Sequence, residues 1–92
     1  MHDAPLPDLV LYSRSGCGLC DEARILLAAL REERARAGLA VPNLVERDIE
    51  TDLAWEQAFF ASIPVVELGE RRLELATSAA KLRRLLADVL DG

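Results

Sequence analysis

Cysteine, histidine and basic charge are all scarce in this chain, and each shortage rules something out. Two of the 92 residues are cysteine, and the one histidine is His2. That count excludes a disulfide-dense scaffold and leaves too few soft donors for a zinc site closed within one chain. Apolar runs are short, far below the roughly 18 residues that cross a bilayer, so no membrane partner is expected. The opening MHDAPLPD carries neither Lys nor Arg and no apolar leader segment. It reads as a loose lead-in, residues 1–8, to a single domain spanning 1–92, with the cytoplasm as the expected compartment. Eleven Lys and Arg stand against sixteen Asp and Glu, a net charge of −5, which argues against nucleic acid as a partner. Repeats and low-complexity tracts are absent.

What remains is the composition of a soluble globular domain, 51% hydrophobic and 29% charged. Leu9-Val10-Leu11-Tyr12 is a short continuous apolar run, the signature of a strand buried on both faces. Ser13 to Gly16 are turn residues. From Gly18 to about Ala37 the composition is helix-forming, with Ala23, Leu26, Leu27 and Leu30 forming one apolar stripe. Its tail REERARAG reads as a solvated charged face closed by Gly38. Leu44 to Ile49 reads as a second strand. Thr51 or Asp52 can cap a short helix through Phe60, on which Trp55, Phe59 and Phe60 are expected in the core. Ile63–Leu68 and Arg71–Leu75 form two strands around Gly69-Glu70, a pair suited to a type II′ hairpin turn. Thr77 or Ser78 then caps a helix bearing Leu82, Leu85, Leu86 and Val89. The order is β-α-β-α-β-β-α. A right-handed parallel crossover and a terminal antiparallel pair make an α/β fold with a mixed four-stranded sheet flanked by helices.

Both cysteines lie in the first βα turn, in YSRSGCGLC. With Cys17 at the helix N-cap, Cys20 falls at the third helical position, where side chains three apart are neighbours and can close a disulfide with little strain. Cys17 then sits where unpaired N–H groups and the positive end of the helix dipole gather, and the amides of Leu19 and Cys20 can hydrogen-bond its thiolate. Such placement lowers a cysteine pKa from about 8.5 into the range of roughly 3.5–7.5 and produces a nucleophile at neutral pH. Cys20, one turn deeper, suits the resolving thiol. Arg14 adds positive charge on the approach side, or is an ordinary solvated arginine; Asp21 and Glu22 oppose a thiolate nearby. A structural staple over so short a loop would restrict the unfolded chain little. A metal would have to be shared across a dimer, so no metal site is expected. A redox pair is the reading that a Cys-x-x-Cys in a βαβ setting favours.

LVLYSRSGCGLC resembles the first strand and active-site turn of the glutaredoxins, and from about Asp8 to Leu90 the chain fits their short version of the thioredoxin fold. The resemblance implies a dithiol–disulfide oxidoreductase with Cys17 as nucleophile and Cys20 as resolving thiol. Arg14 stands where glutaredoxins have a basic residue that meets glutathione. Ile63-Pro64 stands where they have a cis-proline facing the active site, with the preceding backbone offered to substrate. Tyr12, Gly18, Leu19, Thr77 and Ser78 complete the substrate-binding positions it implies. Two departures stand out. Gly18-Leu19 replaces the usual Pro-Tyr between the cysteines, and the stretch LELATSAAK before the last helix lacks the family's glycine pair.

Partners implied are a disulfide-bearing protein or small thiol, and glutathione or a thioredoxin-reductase-like protein as electron donor, acting on a monomer. No tightly bound cofactor is expected. The competing function is a dimer holding an iron–sulfur cluster between two Cys17 thiolates, which Gly18 in place of proline favours. A third is an interaction module with idle cysteines.

Overall fold

The computed structural model describes residues 5–92; His2 and the first half of the expected lead-in lie outside that range. The order is β1 (Leu9–Ser13), α1 (Gly18–Arg36), β2 (Leu44–Asp48), a 3₁₀ turn (Ile49–Thr51), α2 (Leu53–Phe59), β3 (Val65–Leu68), β4 (Arg71–Leu73) and α3 (Ala79–Leu90). The sheet runs β2-β1-β3-β4, with β1 and β2 parallel and the β1–β3 and β3–β4 pairs antiparallel. This is the expected mixed sheet.

All five residues of β1 are buried, as a strand covered on both faces requires. Its alternation divides the core. Leu9 and Leu11 join Val66 and Leu68 of β3, and onto them pack Ala23, Leu27 and Leu30 of α1 and Leu82, Leu85 and Leu86 of α3. Val10 and Tyr12, pointing the other way, join Cys20, Ile49, Phe59, Ile63 and Val65. Burying each leucine contributes roughly 1.5–3 kcal/mol, so the first cluster is the main stabiliser. The second is smaller and contains one of the two sulfurs.

Several elements differ from the sequence expectation, each for a local reason. The second strand stops at Asp48 because that side chain caps the 3₁₀ turn, its Oδ1 accepting from Glu50 N at 2.9 Å. Asp52, not Thr51, caps α2, accepting from Ala54 N and Trp55 N at 2.9 and 3.3 Å. Phe60 lies one residue past α2 and is 63% exposed, so it does not share the core position of Phe59. Pro64 and Ile63 precede β3 rather than belonging to it. The last strand ends at Leu73, because Leu75 adopts a left-handed φ of 48° that no strand continues. Between β3 and β4 only Gly69 has a positive φ, as a type II′ turn demands. Ser78 caps α3, its Oγ accepting from Lys81 N at 3.2 Å.

The tail of α1 is not wholly solvated. Arg34 is 5% exposed, donates its Nε–H to Ala40 O at 2.6 Å and forms an ion pair with Asp91 beyond α3. The pair clamps the end of α1 to the end of α3. Gly38, with φ +73°, supplies the left-handed residue; Gly38 N donates to Ala35 O and Leu39 N to Arg34 O, the two bonds of a Schellman motif.

Candidate active site

The turn between β1 and α1 places both sulfurs. Ser13 ends β1 fully packed at 3% exposure, and the chain then emerges as Arg14, Ser15 and Gly16, all exposed. Gly16 adopts φ +74°, a left-handed conformation that turns the chain into the helix with no steric cost to a residue lacking Cβ. Cys17 follows as the N-cap of α1 in extended conformation (φ −98°, ψ 104°), and its Sγ accepts a hydrogen bond from Cys20 N at 3.1 Å. Of the two amides expected at this sulfur, only that of Cys20 reaches it. Cys17 and Cys20 are joined as a disulfide with Cα atoms 5.2 Å apart, inside the range that a disulfide spans without moving the backbone.

The two sulfurs are not equivalent. Cys20 is completely buried in the cluster with Tyr12, Ile63 and Val65, whereas Cys17 is partly exposed at its edge. An incoming group can therefore reach Cys17 and not Cys20. Gly18 is the first residue of α1, exposed, with open space around the position a Cβ would take. Leu19 beside it is 47% exposed.

The remaining predicted positions divide into those the fold gathers at the cysteines and those it does not. Ile63 belongs with Cys20 to the smaller cluster, against which Cys17 also packs, and the Ile63–Pro64 peptide is cis, as the resemblance implies. Ile63 N, however, donates to Phe59 O at 3.2 Å, so this amide is occupied within the protein. The Pro64 carbonyl accepts from Ala76 N at 2.8 Å, and Pro64 is wholly buried. Tyr12 is 4% exposed, and its hydroxyl donates to Glu67 Oε1 and accepts from Arg47 Nη1, each at 3.0 Å. Burial, reinforced by Glu67, pushes this phenol's pKa up. Its ring meets Trp55 edge-on and Phe59 at a tilt, so Tyr12 underlies the site rather than facing solvent. Arg14 is exposed between two depressions, one shared with Glu56, Gln57 and Phe60, the other with Asp21, Arg24, Glu46 and Asp48. Thr77 lies in a groove with Glu22, Ile25 and Leu26 of α1, beyond the cysteine turn. Ser78 caps α3, which uses its oxygen internally. Among the described residues no group of three or more metal-ligating side chains comes together.

Residues 8–90 match the family model described as the Glutaredoxin-like domain (DUF836). The chain belongs to the glutaredoxin-like domain family. Among solved structures, this glutaredoxin-like domain is similar to protein XcR50 from X. campestris. Its X-ray structure is 31% identical, with a TM-score of 0.70 over 87% of this chain and 96% of that one. The solution structure of XcR50 gives 30% identity and a TM-score of 0.68, covering 88% and 94%. The germline-specific thioredoxin Deadhead of Drosophila melanogaster, 19% identical with a TM-score of 0.63, covers 96% of this chain and 84% of its own; at that identity it shows the fold alone. No curated protein matches. The fold is thus thioredoxin-like, and no helix among the described residues is long and apolar enough to cross a membrane.

Sequence reasoning missed the polar chain that braces the glutaredoxin-like turn. Glu46 of β2 accepts from Ser13 Oγ at 2.6 Å and from Arg24 Nε and Nη2 at 2.8 and 2.5 Å; Arg24 Nη1 also donates to Asp21 Oδ1 at 2.6 Å. The Asp21–Arg24 spacing of three on a helix was the visible signal. Nothing local identifies Glu46, which arrives from a strand 22 residues further on.

These contacts make stability acid-sensitive. The hydrogen bonds from Arg24, then that from Ser13, hold the Glu46 carboxyl below its ordinary range against a burial effect, and Arg34 does the same for Asp91. Each group binds fewer protons in the folded protein than in the unfolded chain. Their contribution is therefore complete above the unfolded carboxylate range, about pH 4–4.5, and is lost as pH falls through the lowered folded values. Urea midpoints are expected to stay flat from pH 7 to about pH 5 and to decline below it, less steeply in Asp91→Asn. Equal slopes in the two proteins would remove Asp91 from this account.

Proposed function

We propose that this glutaredoxin-like domain is a thiol–disulfide oxidoreductase that works through a Cys17–Cys20 dithiol. In the reduced protein the Cys17 thiolate attacks one sulfur of a substrate disulfide. A Cys17–substrate bond forms as the substrate S–S bond breaks, and the other substrate sulfur leaves as a thiolate. Cys20, deprotonated, then attacks the Cys17 sulfur, releasing the second substrate thiolate and forming the intramolecular disulfide. Two electrons have passed to the substrate. A thiol donor, glutathione or a reductase of the thioredoxin-reductase kind, returns the pair to the dithiol by the same exchange in reverse.

The observation that carries this reading is the asymmetry at the helix start: the partly exposed Cys17 accepts an amide N–H, while its bonded partner is fully buried. A thiolate at that position has a hydrogen bond and the helix dipole to stabilise it. The buried thiol is shielded from outside disulfides yet lies next to the first sulfur. Substrates are disulfides of proteins or small thiols, met at the surface formed by Arg14, Gly18 and Leu19. The protein acts as a monomer.

Trapping tests the order of attack. Cys20→Ser incubated with a disulfide substrate should accumulate a mixed disulfide on Cys17, detected as a mass increase that dithiothreitol removes. No adduct on Cys17 of Cys20→Ser would sink the mechanism; the parent, whose Cys20 resolves the mixed disulfide, should accumulate none. A brown protein with cluster absorbance after anaerobic purification would favour the dimeric carrier instead.

A further inference from the structure

The Asp21 carboxylate stands about one helical turn from Cys17, and the Asp21 amide donates to the Cys17 carbonyl at 3.1 Å. Unopposed, that charge works against a thiolate on Cys17. The fold sets Arg24 against it. One guanidinium donates Nη1–H to Asp21 and Nε–H and Nη2–H to Glu46, and Glu46 also takes the Ser13 hydroxyl. Ser13 is the last residue before the cysteine turn and Asp21 the first after it, so one carboxylate and one guanidinium pin both ends of that turn to β2.

We propose that Arg24 is a positioning and charge-compensating residue for the redox turn: held by Glu46, it offsets the field of Asp21 at the Cys17 sulfur. The inference rests on the oxidoreductase reading. On this reading Arg24 and Glu46 act through the turn and not on the reacting sulfurs. Other charges surround the cysteines and set the background against which this one is read. They are Arg14 in the turn, Glu22 on α1, Arg47 and Asp48 at the end of β2, Glu56 on α2, and Glu67 and Arg72 from the β3–β4 pair. Arg47, Glu67 and Arg72 are engaged with Tyr12 or with each other, and Arg72 also lies over the Phe59 ring. Arg24 is the cation that contacts the first-turn carboxylate.

The sequence separation of the partners gives this brace a testable signature. Iodoacetamide alkylation of Cys17 is followed against pH in the reduced full-length protein, with Cys20→Ser as the common background. In Arg24→Gln the pH midpoint should move up by about 0.5–1, with alkylation below it about three- to tenfold slower. Adding Asp21→Asn should bring the rate back to within about twofold of the parent, and Arg24→Lys, which keeps the charge, should stay near it. A purely structural role would leave the Arg24→Gln defect uncorrected by Asp21→Asn. Asp21→Asn alone changes an exposed side chain and should fold in any case; it should speed alkylation below the midpoint about two- to threefold. Profiles for Arg24→Gln and Asp21→Asn that coincide with the parent would overturn the inference. If the parent itself titrates like a free thiol near 8.5, the oxidoreductase reading fails instead, so the two failures are told apart.

Discussion

Cys17→Ser is expected to lower the rate of disulfide reduction by about a thousandfold or more, because on the proposed mechanism it removes the attacking sulfur and leaves no substitute. Serine at the N-cap keeps the hydrogen bond from Cys20 N and remains a good cap, so the fold should survive with little change. Activity and stability are thereby separated. The loss cannot be rescued by Cys20, which is fully buried and has its own sulfur oriented toward Cys17. Cys20→Ser should behave differently: in a single turnover it should release the first substrate thiolate at close to the parent rate and then stop. Insulin reduction or release of a chromophoric thiol, in steady state and in a single turnover, distinguishes the two variants. A Cys17→Ser protein with more than a tenth of parental activity would mean that Cys20 attacks on its own, contrary to its burial.

Leu27→Ala should be the most damaging of the apolar truncations on the helix that carries the cysteines. Leu27 is completely buried between the sheet and α3, in the cluster with Leu9, Leu11, Leu82 and Leu86. Removing three carbons there forfeits their transfer free energy and leaves a cavity, at a cost of about 2–5 kcal/mol. For a domain of this length each kcal/mol corresponds to roughly 4–8 °C, so the melting temperature should fall by at least about 8 °C. A protein of 92 residues has a small total margin, and the upper end of that range approaches it. Ile25, on the same helix but 69% exposed, is the control: Ile25→Ala should shift the melting temperature by only a degree or two. Equal losses at the two positions would show that Leu27 is not seated as the structure has it.

Much of this molecule was legible in its residues. A continuous apolar strand, a stripe of leucines at helical spacing and a Gly-Glu pair between two short strands each express a local rule, so element order and sheet type followed from them. The cap at Cys17 was legible for the same reason. A side chain that accepts from an amide three residues on needs no distant partner. Phe60 shows where such rules stop. Its aromatic bulk puts it with Trp55 and Phe59 in the expected core, but the helix ends at Phe59 and the next side chain is exposed. Leu75 is similar, an apolar residue in apparent strand alternation whose backbone is left-handed where Leu75 N donates to Ser62 O and Ala76 N to Pro64 O.

By itself the sequence determined that two thiols meet at the start of a helix, which one is outermost, and that a parallel crossover carries them, because capping, periodicity and chain connectivity act over a few residues. Tertiary structure alone decided that Arg34 is buried against Asp91, 57 residues away, and that Glu46 braces the cysteine turn through Ser13 and Arg24. It also decided that Tyr12 lies beneath the site with its hydroxyl shared between Glu67 and Arg47. Charged and phenolic groups have no preferred distance along the chain; their partners are chosen by which strands and helices the sheet brings side by side, and for the buried Arg34 and Tyr12 desolvation then makes a partner obligatory.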